Sequence, residues 1–90
     1  EGLVLSLAAE LAPAIRINAI APSLTDTPLA ANLLGNDARK EAAAARHPLR
    51  QIGQPQDIAE LAAYLLSDAS RFLTGQILRP DGGLSTVRTF

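Results

Sequence analysis

Two short apolar segments separated by helical patterns set the strongest limit on how this 90-residue chain can fold. The first covers residues 15–21 and ends at Pro22, which cannot continue a strand. The second covers residues 74–79 and leads into a turn over residues 80–83. Strands that are separated by helices pair in parallel, usually through a right-handed crossover. The sequence therefore predicts an α/β fold in which these two strands lie parallel and adjacent.

Apolar spacing and capping residues predict the helices between and around the strands. Thr27 and Pro28 mark one helix start, and Asn36 caps the next one. The strongest pattern follows Pro55, where Asp57 can reach back to a free backbone amide. The predicted helices cover residues 1–12, 28–34, 37–46 and 55–67.

The first predicted helix is apolar around most of its circumference, which is typical of a helix that is covered on two sides. One set of its side chains is expected to cover the sheet, and a second strip is expected at a subunit interface. The C-terminal residues 84–90 are expected to touch a neighbouring subunit. The sheet-covering set is Leu3, Val4, Leu7, Ala8 and Leu11, and the interface strip is Leu5, Ala9 and Ala12.

Two parallel strands are too few to form a stable sheet, because both edges stay open. The chain has no methionine and begins within an apolar periodic pattern. We therefore expect residues 1–90 to be one segment of a single domain whose N-terminal part is absent from the chain, or whose sheet another chain completes.

Composition excludes several classes of function. Eight Lys and Arg residues against nine Asp and Glu residues give a net charge of −1, which offers no electrostatic case for nucleic acid or an anionic membrane. The absence of cysteine and the single histidine, His47, exclude thiolate and multi-histidine metal sites, so no metal is expected. The lack of cysteine fits a reducing compartment, and the cytoplasm is the predicted location.

Several motifs resemble the C-terminal portion of the short-chain dehydrogenase/reductase family, and together they cover nearly the whole chain. They are LAPAIRINAIAP at residues 11–22, TDTP at residues 25–28, GQPQDIA at residues 53–59, TGQI at residues 74–77 and DGG at residues 81–83. The resemblance implies the C-terminal part of a Rossmann-type doubly wound parallel sheet, incomplete in this chain. It also implies an NAD- or NADP-dependent oxidoreductase that transfers hydride between the nicotinamide and a carbonyl or alcohol substrate.

The resemblance also implies which functional parts the chain lacks. The family has a glycine-rich phosphate turn and a catalytic serine, tyrosine and lysine, with the lysine four residues after the tyrosine. Here the sole tyrosine is Tyr64, with Asp68 four residues later, and the sole lysine is Lys40. No catalytic residue is therefore expected in this chain, which by itself should be inactive.

The loop after the first strand is where such sheets bind ligands. By resemblance, the cofactor-binding residues are Pro22, Ser23, Thr25 and Thr27, with main-chain atoms near Thr25 holding the nicotinamide carboxamide. Ser23 departs from the family, which usually has glycine there. The alternative is that the two threonines are only turn and cap residues.

The remaining candidate functional residues lie after this loop in the sequence. Leu29 and Leu33 are expected to form a lid over the substrate, with ordinary core packing as the alternative. His47 is interpreted as a loop residue and Tyr64 as a packing residue. Lys40 and Arg46 are interpreted as a solvated helix face.

Two functions stay open at this point. The first is a segment of an oxidoreductase that assembles as a homo-dimer or tetramer. Its part would be to close the nicotinamide and substrate pocket and to form subunit contacts. The second is a non-catalytic interaction module whose apolar first helix docks onto a partner.

Overall fold

The structure is a computed structural model that describes residues 1–27 and 35–88. The helix predicted over residues 28–34 lies outside the described residues. A short 3₁₀ helix, Asp68–Ser70, follows the last α-helix. The α-helices are α1 at Gly2–Leu11, α2 at Asp37–Ala45 and α3 at Pro55–Leu66, and the strands are β1 at Ala19–Ile20 and β2 at Ile77–Leu78.

The two strands lie side by side and parallel, which confirms the predicted arrangement. Ala19 is opposite Ile77, and Ile20 is opposite Leu78. The carboxyl end of β1 therefore faces the same edge of the sheet as the carboxyl end of β2.

Both strands are shorter than predicted, because polar side chains take the backbone hydrogen bonds that would extend the ladder. Asn18 accepts from the backbone N–H of Gln76 at 3.1 Å and donates to the carbonyl of Leu73 at 3.2 Å. The backbone N–H of Ile17 donates to the hydroxyl of Thr74 at 3.1 Å. These bonds keep the two segments in register. They also replace the regular backbone ladder just before β1 and β2 begin.

Helix α1 packs through a close approach between small residues. Ala8 is its buried residue, and a Cβ atom placed on Gly75 would lie 3.6 Å from the Cβ of Ala8. Gly75 also adopts a φ of +70°, a conformation that glycine takes without strain. The prediction that Leu3 covers the sheet is wrong, since its side chain is 72% exposed. Five residues turn the helix by about 140° beyond a full circle, so Leu3 and Ala8 occupy different faces.

Helices α2 and α3 begin at the predicted capping residues. Asn36 accepts from the backbone N–H of Arg39 at 2.9 Å at the start of α2. Asp57 accepts from the backbone N–H of Gln54 at 2.8 Å at the start of α3, as predicted. Each bond satisfies a backbone donor that the first helical turn leaves without a partner.

Arg16 joins the segment before β1 to the end of α3. One guanidinium nitrogen donates to the carbonyls of Leu65 and Ser67 at 3.1 and 3.3 Å. The other donates to the carbonyls of Ser70 and Leu73 at 2.9 and 3.1 Å, and to the Ser70 hydroxyl at 3.2 Å. The carbonyls at the end of a helix lack intrahelical partners, and a cation is favourable there. Arg16 therefore fixes the position of β1 relative to α3.

The described residues enclose only a small apolar core, made of Ala8, Ala43 and Ile52. Leu66 and Phe72 are 87% and 94% exposed. The radius of gyration is 15.5 Å, whereas a compact chain of this length would have roughly 12 Å. Large apolar faces of the helices are therefore open in this chain. Across residues 1–27 and 35–88, no helix is long and apolar enough to cross a bilayer.

We predict that Arg16→Met lowers the free energy of unfolding by about 2–3 kcal/mol, because several half-buried carbonyls lose a charged donor. Urea unfolding measures this change. Arg71→Met is the matched control, since Arg71 is exposed and should cost no more than about 0.5 kcal/mol. Equal unfolding midpoints for the two variants would contradict the role of Arg16.

Candidate functional site

The loop that leaves β1 is held in an extended conformation by residues just before α3. Thr25 and Gly53 form an isolated parallel bridge. The N–H of Gly53 donates to the carbonyl of Leu24 at 3.0 Å, and the N–H of Asp26 donates to the carbonyl of Gly53 at 2.8 Å. The bridge thus fixes the backbone of the loop at the carboxyl edge of the sheet.

The hydrogen bonds of the bridge do not use the backbone N–H and C=O groups of Thr25 itself. Successive residues of an extended chain direct their N–H and C=O groups to opposite sides, so those of Thr25 point away from Gly53. Within residues 1–27 and 35–88, neither group has a hydrogen-bond partner. The Thr25 hydroxyl donates to the carbonyl of Ser23 at 3.1 Å and closes the loop on itself. Thr25 therefore presents one donor and one acceptor, side by side, on a rigid segment.

The close approach at this bridge favours a glycine. A Cβ atom at Gly53 would lie 3.2 Å from the hydroxyl oxygen of Thr25 and 3.7 Å from the carbonyl oxygen of Leu24. The first distance is tighter than ordinary contact, so a larger residue would require the Thr25 hydroxyl to shift by a few tenths of an ångström. Gly53 is thus a positioning residue for the loop.

Ser23 is hydrogen-bonded to the one histidine of the chain. The Nδ1 atom of His47 lies 2.8 Å from the carbonyl oxygen of Ala43, so in the neutral ring Nδ1 carries the proton. The Nε2 atom then accepts from the Ser23 hydroxyl at 2.8 Å. His47 is only 4% exposed, and these two bonds satisfy both of its ring nitrogens. The pair ties the loop after β1 to the end of α2.

The interpretation of His47 as a simple loop residue missed this contact. His47 does lie in a bend after α2, but it is buried and bonded to a residue 24 positions away. Ser23 stands where the family that the chain resembles usually has glycine. That departure was the one available signal, and it did not identify the partner.

The turn that follows β2 packs on the other side of His47. Gly82 has a φ of +60°, and its carbonyl accepts from the N–H of Leu49 at 3.1 Å. A Cβ atom on Gly82 would lie 3.5 Å from the Cβ of His47. Glycine therefore allows the backbone conformation of the turn, which lies in ordinary van der Waals contact with the histidine.

Asp81 organises the same turn. The Ser85 hydroxyl donates to its carboxylate, and with the backbone N–H of Gly83 at 3.0 Å it lowers the pKa of Asp81 below the ordinary 3.8. A carboxyl whose pKa is lowered by folding stabilises the fold above its unfolded pKa. That contribution is lost as the pH falls through the lowered pKa. At neutral pH the turn is therefore held by an ionised carboxylate.

Two cavities flank the Ser23–His47 pair. One, of about 230 Å³, is also lined by Gly53 and Asp81. The other, of about 530 Å³, lies between the loop and α2. The pair thus forms part of the wall of both cavities.

The structure brings together some of the predicted site residues and leaves others apart. Ser23 and Thr25 share a hydrogen bond, Pro22 is exposed, and Thr27 is half-buried at the end of the described loop. The predicted lid residues Leu29 and Leu33 lie outside the described residues.

Two further candidate residues, Tyr64 and Lys40, lie at the surface of the described chain. Tyr64, predicted to be a packing residue with no catalytic role, is 45% exposed in this chain and is therefore packed only in part. Lys40 is exposed, as predicted for a solvated helix face, and its ammonium group lies 3.6 Å from a carboxylate oxygen of Asp26. No group of three His, Cys, Asp or Glu residues suited to a metal occurs in the described part of the chain.

Comparison with known proteins places this arrangement among reductases and dehydrogenases. The sequence profile of the family described as enoyl-(acyl carrier protein) reductase matches residues 1–85. Cis-4-hydroxycyclohexanecarboxylate dehydrogenase of Sinomonas cyclohexanicum is 46% identical over 76 residues, which are 84% of this chain and 30% of that protein.

Two solved structures resemble the fold closely. Ligand-free aldohexose dehydrogenase of Thermoplasma acidophilum has a TM-score of 0.87 and 37% identity, over 99% of this chain and 38% of that one. A 4-hydroxyisoleucine dehydrogenase complexed with NADH has a TM-score of 0.87 and 34% identity, over 97% of this chain and 36% of that one. The chain spans about a third of the length of the relatives it matches.

Proposed function

Because the chain belongs to the short-chain dehydrogenase/reductase family, we propose that it is the C-terminal segment of an NAD(P)-dependent oxidoreductase. The complete domain would be a Rossmann-type doubly wound sheet, of which β1 and β2 are two neighbouring strands. The reaction would be hydride transfer between the nicotinamide and a carbonyl or alcohol substrate. The matching relatives are themselves dehydrogenases and reductases, which supports this assignment.

The open faces of the chain support its place within a larger domain. Leu66 and Phe72 are almost fully exposed, and β1 has one strand neighbour in the described part of the chain. Soluble proteins seldom leave large apolar faces open, so further elements of the same domain are expected to cover them. In this proposal the glycine-rich turn and the catalytic serine, tyrosine and lysine are contributed by those elements.

One observation carries the cofactor assignment: the N–H and C=O groups of Thr25 are fixed and lack a partner in the described residues. A primary carboxamide has one acceptor and two donors, so it can bond both groups of a single extended residue. Bound nicotinamide would supply the hydride chemistry. Thr25 would hold its carboxamide, and Ser23 would line the pocket beside it.

The role of this segment is therefore orientation of the cofactor. Gly53 sets the position of Thr25, and the Ser23–His47 bond prevents the loop from moving away from α2. A rigid donor and acceptor restrict rotation of the nicotinamide ring, so one face of the ring is presented to the substrate. Leu29 and Leu33, next along the chain, stay a prediction for the substrate lid.

We predict that the full-length protein containing this chain discriminates between two NAD analogues. Thionicotinamide adenine dinucleotide keeps the amide N–H donor, whereas 3-acetylpyridine adenine dinucleotide lacks it. Loss of the bond to the Thr25 carbonyl should weaken binding of the acetylpyridine analogue by about tenfold relative to the thio analogue, which corresponds to one hydrogen bond of about 1.4 kcal/mol.

Calorimetric titration measures both affinities. Equal affinities would contradict the role of Thr25, and failure of NAD and NADP themselves to bind would favour a non-catalytic interaction module.

We also propose that a second copy of the chain covers part of α1. Leu5 is 55% exposed, and Ala9 and Ala12, which lie on the same face of the helix, are exposed as well. A strip of this kind can meet its own copy across a two-fold axis. The assembly would be a homo-dimer or tetramer.

We predict that Leu5→Glu lowers the oligomer mass of the full-length protein, because it places an unpaired charge in that interface. Light scattering measures the mass. Ser6→Glu is the control, since Ser6 is already an exposed polar position on α1. An unchanged mass for Leu5→Glu would show that the strip is covered within its own chain.

A further inference from the structure

The proton of the Ser23 hydroxyl is held by His47. A carbonyl oxygen cannot donate, so the 2.8 Å contact between Nδ1 and the carbonyl of Ala43 places the ring proton on Nδ1. In the neutral ring Nε2 is then an acceptor, and the hydroxyl of Ser23 must supply the proton of the 2.8 Å bond between them. His47 is buried and both its ring nitrogens are bonded, so its surroundings fix this polarity.

The oxygen of the Ser23 hydroxyl keeps its capacity to accept. A hydroxyl oxygen has two lone pairs, and no group in residues 1–27 and 35–88 donates to this one. Ser23 is half-buried and lines the cavity of about 530 Å³ between the loop and α2. With its own proton held by His47, Ser23 meets a molecule in this cavity as an acceptor only.

The other walls of the cavity are mostly apolar. They are formed by Leu24, Ala42, Ala43 and Leu84. Arg39 and Arg46 complete the lining, and both are exposed, which for Arg46 agrees with the predicted solvated helix face. An apolar cavity of this size with a few placed polar groups is typical of a small-molecule site. Because Leu24 precedes Thr25, such a molecule would lie beside the residue proposed to hold the nicotinamide.

We propose that this cavity binds the substrate, and that Ser23 selects a substrate with a hydroxyl in addition to the reacting carbonyl or alcohol. The proposal rests on the proposed oxidoreductase function and names its substrate class. Ser23 accepts a hydrogen bond from the additional hydroxyl. A carbonyl or ether oxygen in the same place would face the lone pairs of Ser23 with no proton between them, so the site discriminates against it. His47 is a positioning residue that acts through Ser23.

The first test is calorimetric titration of the full-length protein without cofactor. The probes are 4-hydroxycyclohexanone and cyclohexane-1,4-dione, which differ at one oxygen: it is a hydroxyl in the first and a carbonyl in the second. The hydroxy ketone should bind about tenfold more tightly. Ser23→Ala should abolish this preference. Ser6→Ala removes an exposed hydroxyl from α1, outside the cavity, and should preserve it.

A variant of His47 separates positioning from general loss of structure. Asparagine has an amide N–H that can replace the Nδ1 proton toward Ala43, but it has no atom at the position of Nε2. In His47→Asn the hydroxyl of Ser23 is therefore released and can donate to the dione. The dione should gain affinity, and the preference should fall to about threefold or less. Loss of structure alone would weaken binding of both ketones together.

The second test is reduction of the same two ketones with NADH or NADPH. The ratio of kcat/KM for the hydroxy ketone to kcat/KM for the dione should fall about fivefold or more in Ser23→Ala. The ratio for Ser6→Ala should equal that of the unmodified protein.

Three results would overturn the hydroxyl site: no binding of the hydroxy ketone, binding of the dione as tight or tighter, or a preference that survives Ser23→Ala. A preference that is unchanged in His47→Asn would refute the positioning role. The two proposals also fail separately. Reduction of both ketones with equal kcat/KM refutes the hydroxyl site alone, whereas a hydroxyl preference without NADH or NADPH binding refutes the oxidoreductase function alone.

Discussion

The guanidinium of Arg16 is the interaction on which the rest of this structure depends. It donates to carbonyls at the end of α3 and in the segment that leads to β2, so a single side chain joins three parts of the chain. Since the sheet has only two short strands in the described residues, backbone pairing alone would hold β1 weakly. With Arg16 in place, β1 has one position relative to α3. The loop at the carboxyl end of β1 therefore starts from a defined point.

From that point, two contacts fix the loop from opposite sides. The bridge between Thr25 and Gly53 comes from the segment before α3, and the bond between Ser23 and His47 comes from the segment after α2. The turn containing Asp81 packs against the same histidine from the end of β2. Elements that are distant in sequence thus converge at one edge of the sheet. Binding sites built this way hold their groups rigidly, which lowers the entropic cost of orienting a ligand.

Elements that depend on local chemistry could be predicted from the sequence. Asn36 and Asp57 bond free amides at helix starts, and the parallel pairing follows from helix-separated strands. Features that depend on tertiary contact could not. The side chain of Asn18 shortens the strands by bonding across the sheet, and the Ser23–His47 bond has no local signature. The family resemblance predicts a cofactor role for the loop after β1, whereas the available backbone groups of Thr25 became visible only in the structure.

The central claim is that the backbone of Thr25 holds the nicotinamide carboxamide. A crystal structure of the full-length protein with NADH bound tests it most directly. We expect the carboxamide nitrogen at about 3 Å from the Thr25 carbonyl oxygen, and the carboxamide oxygen at about 3 Å from the Thr25 nitrogen. A nicotinamide ring bound at another edge of the sheet, with both Thr25 groups bonded to protein or water instead, would contradict the account.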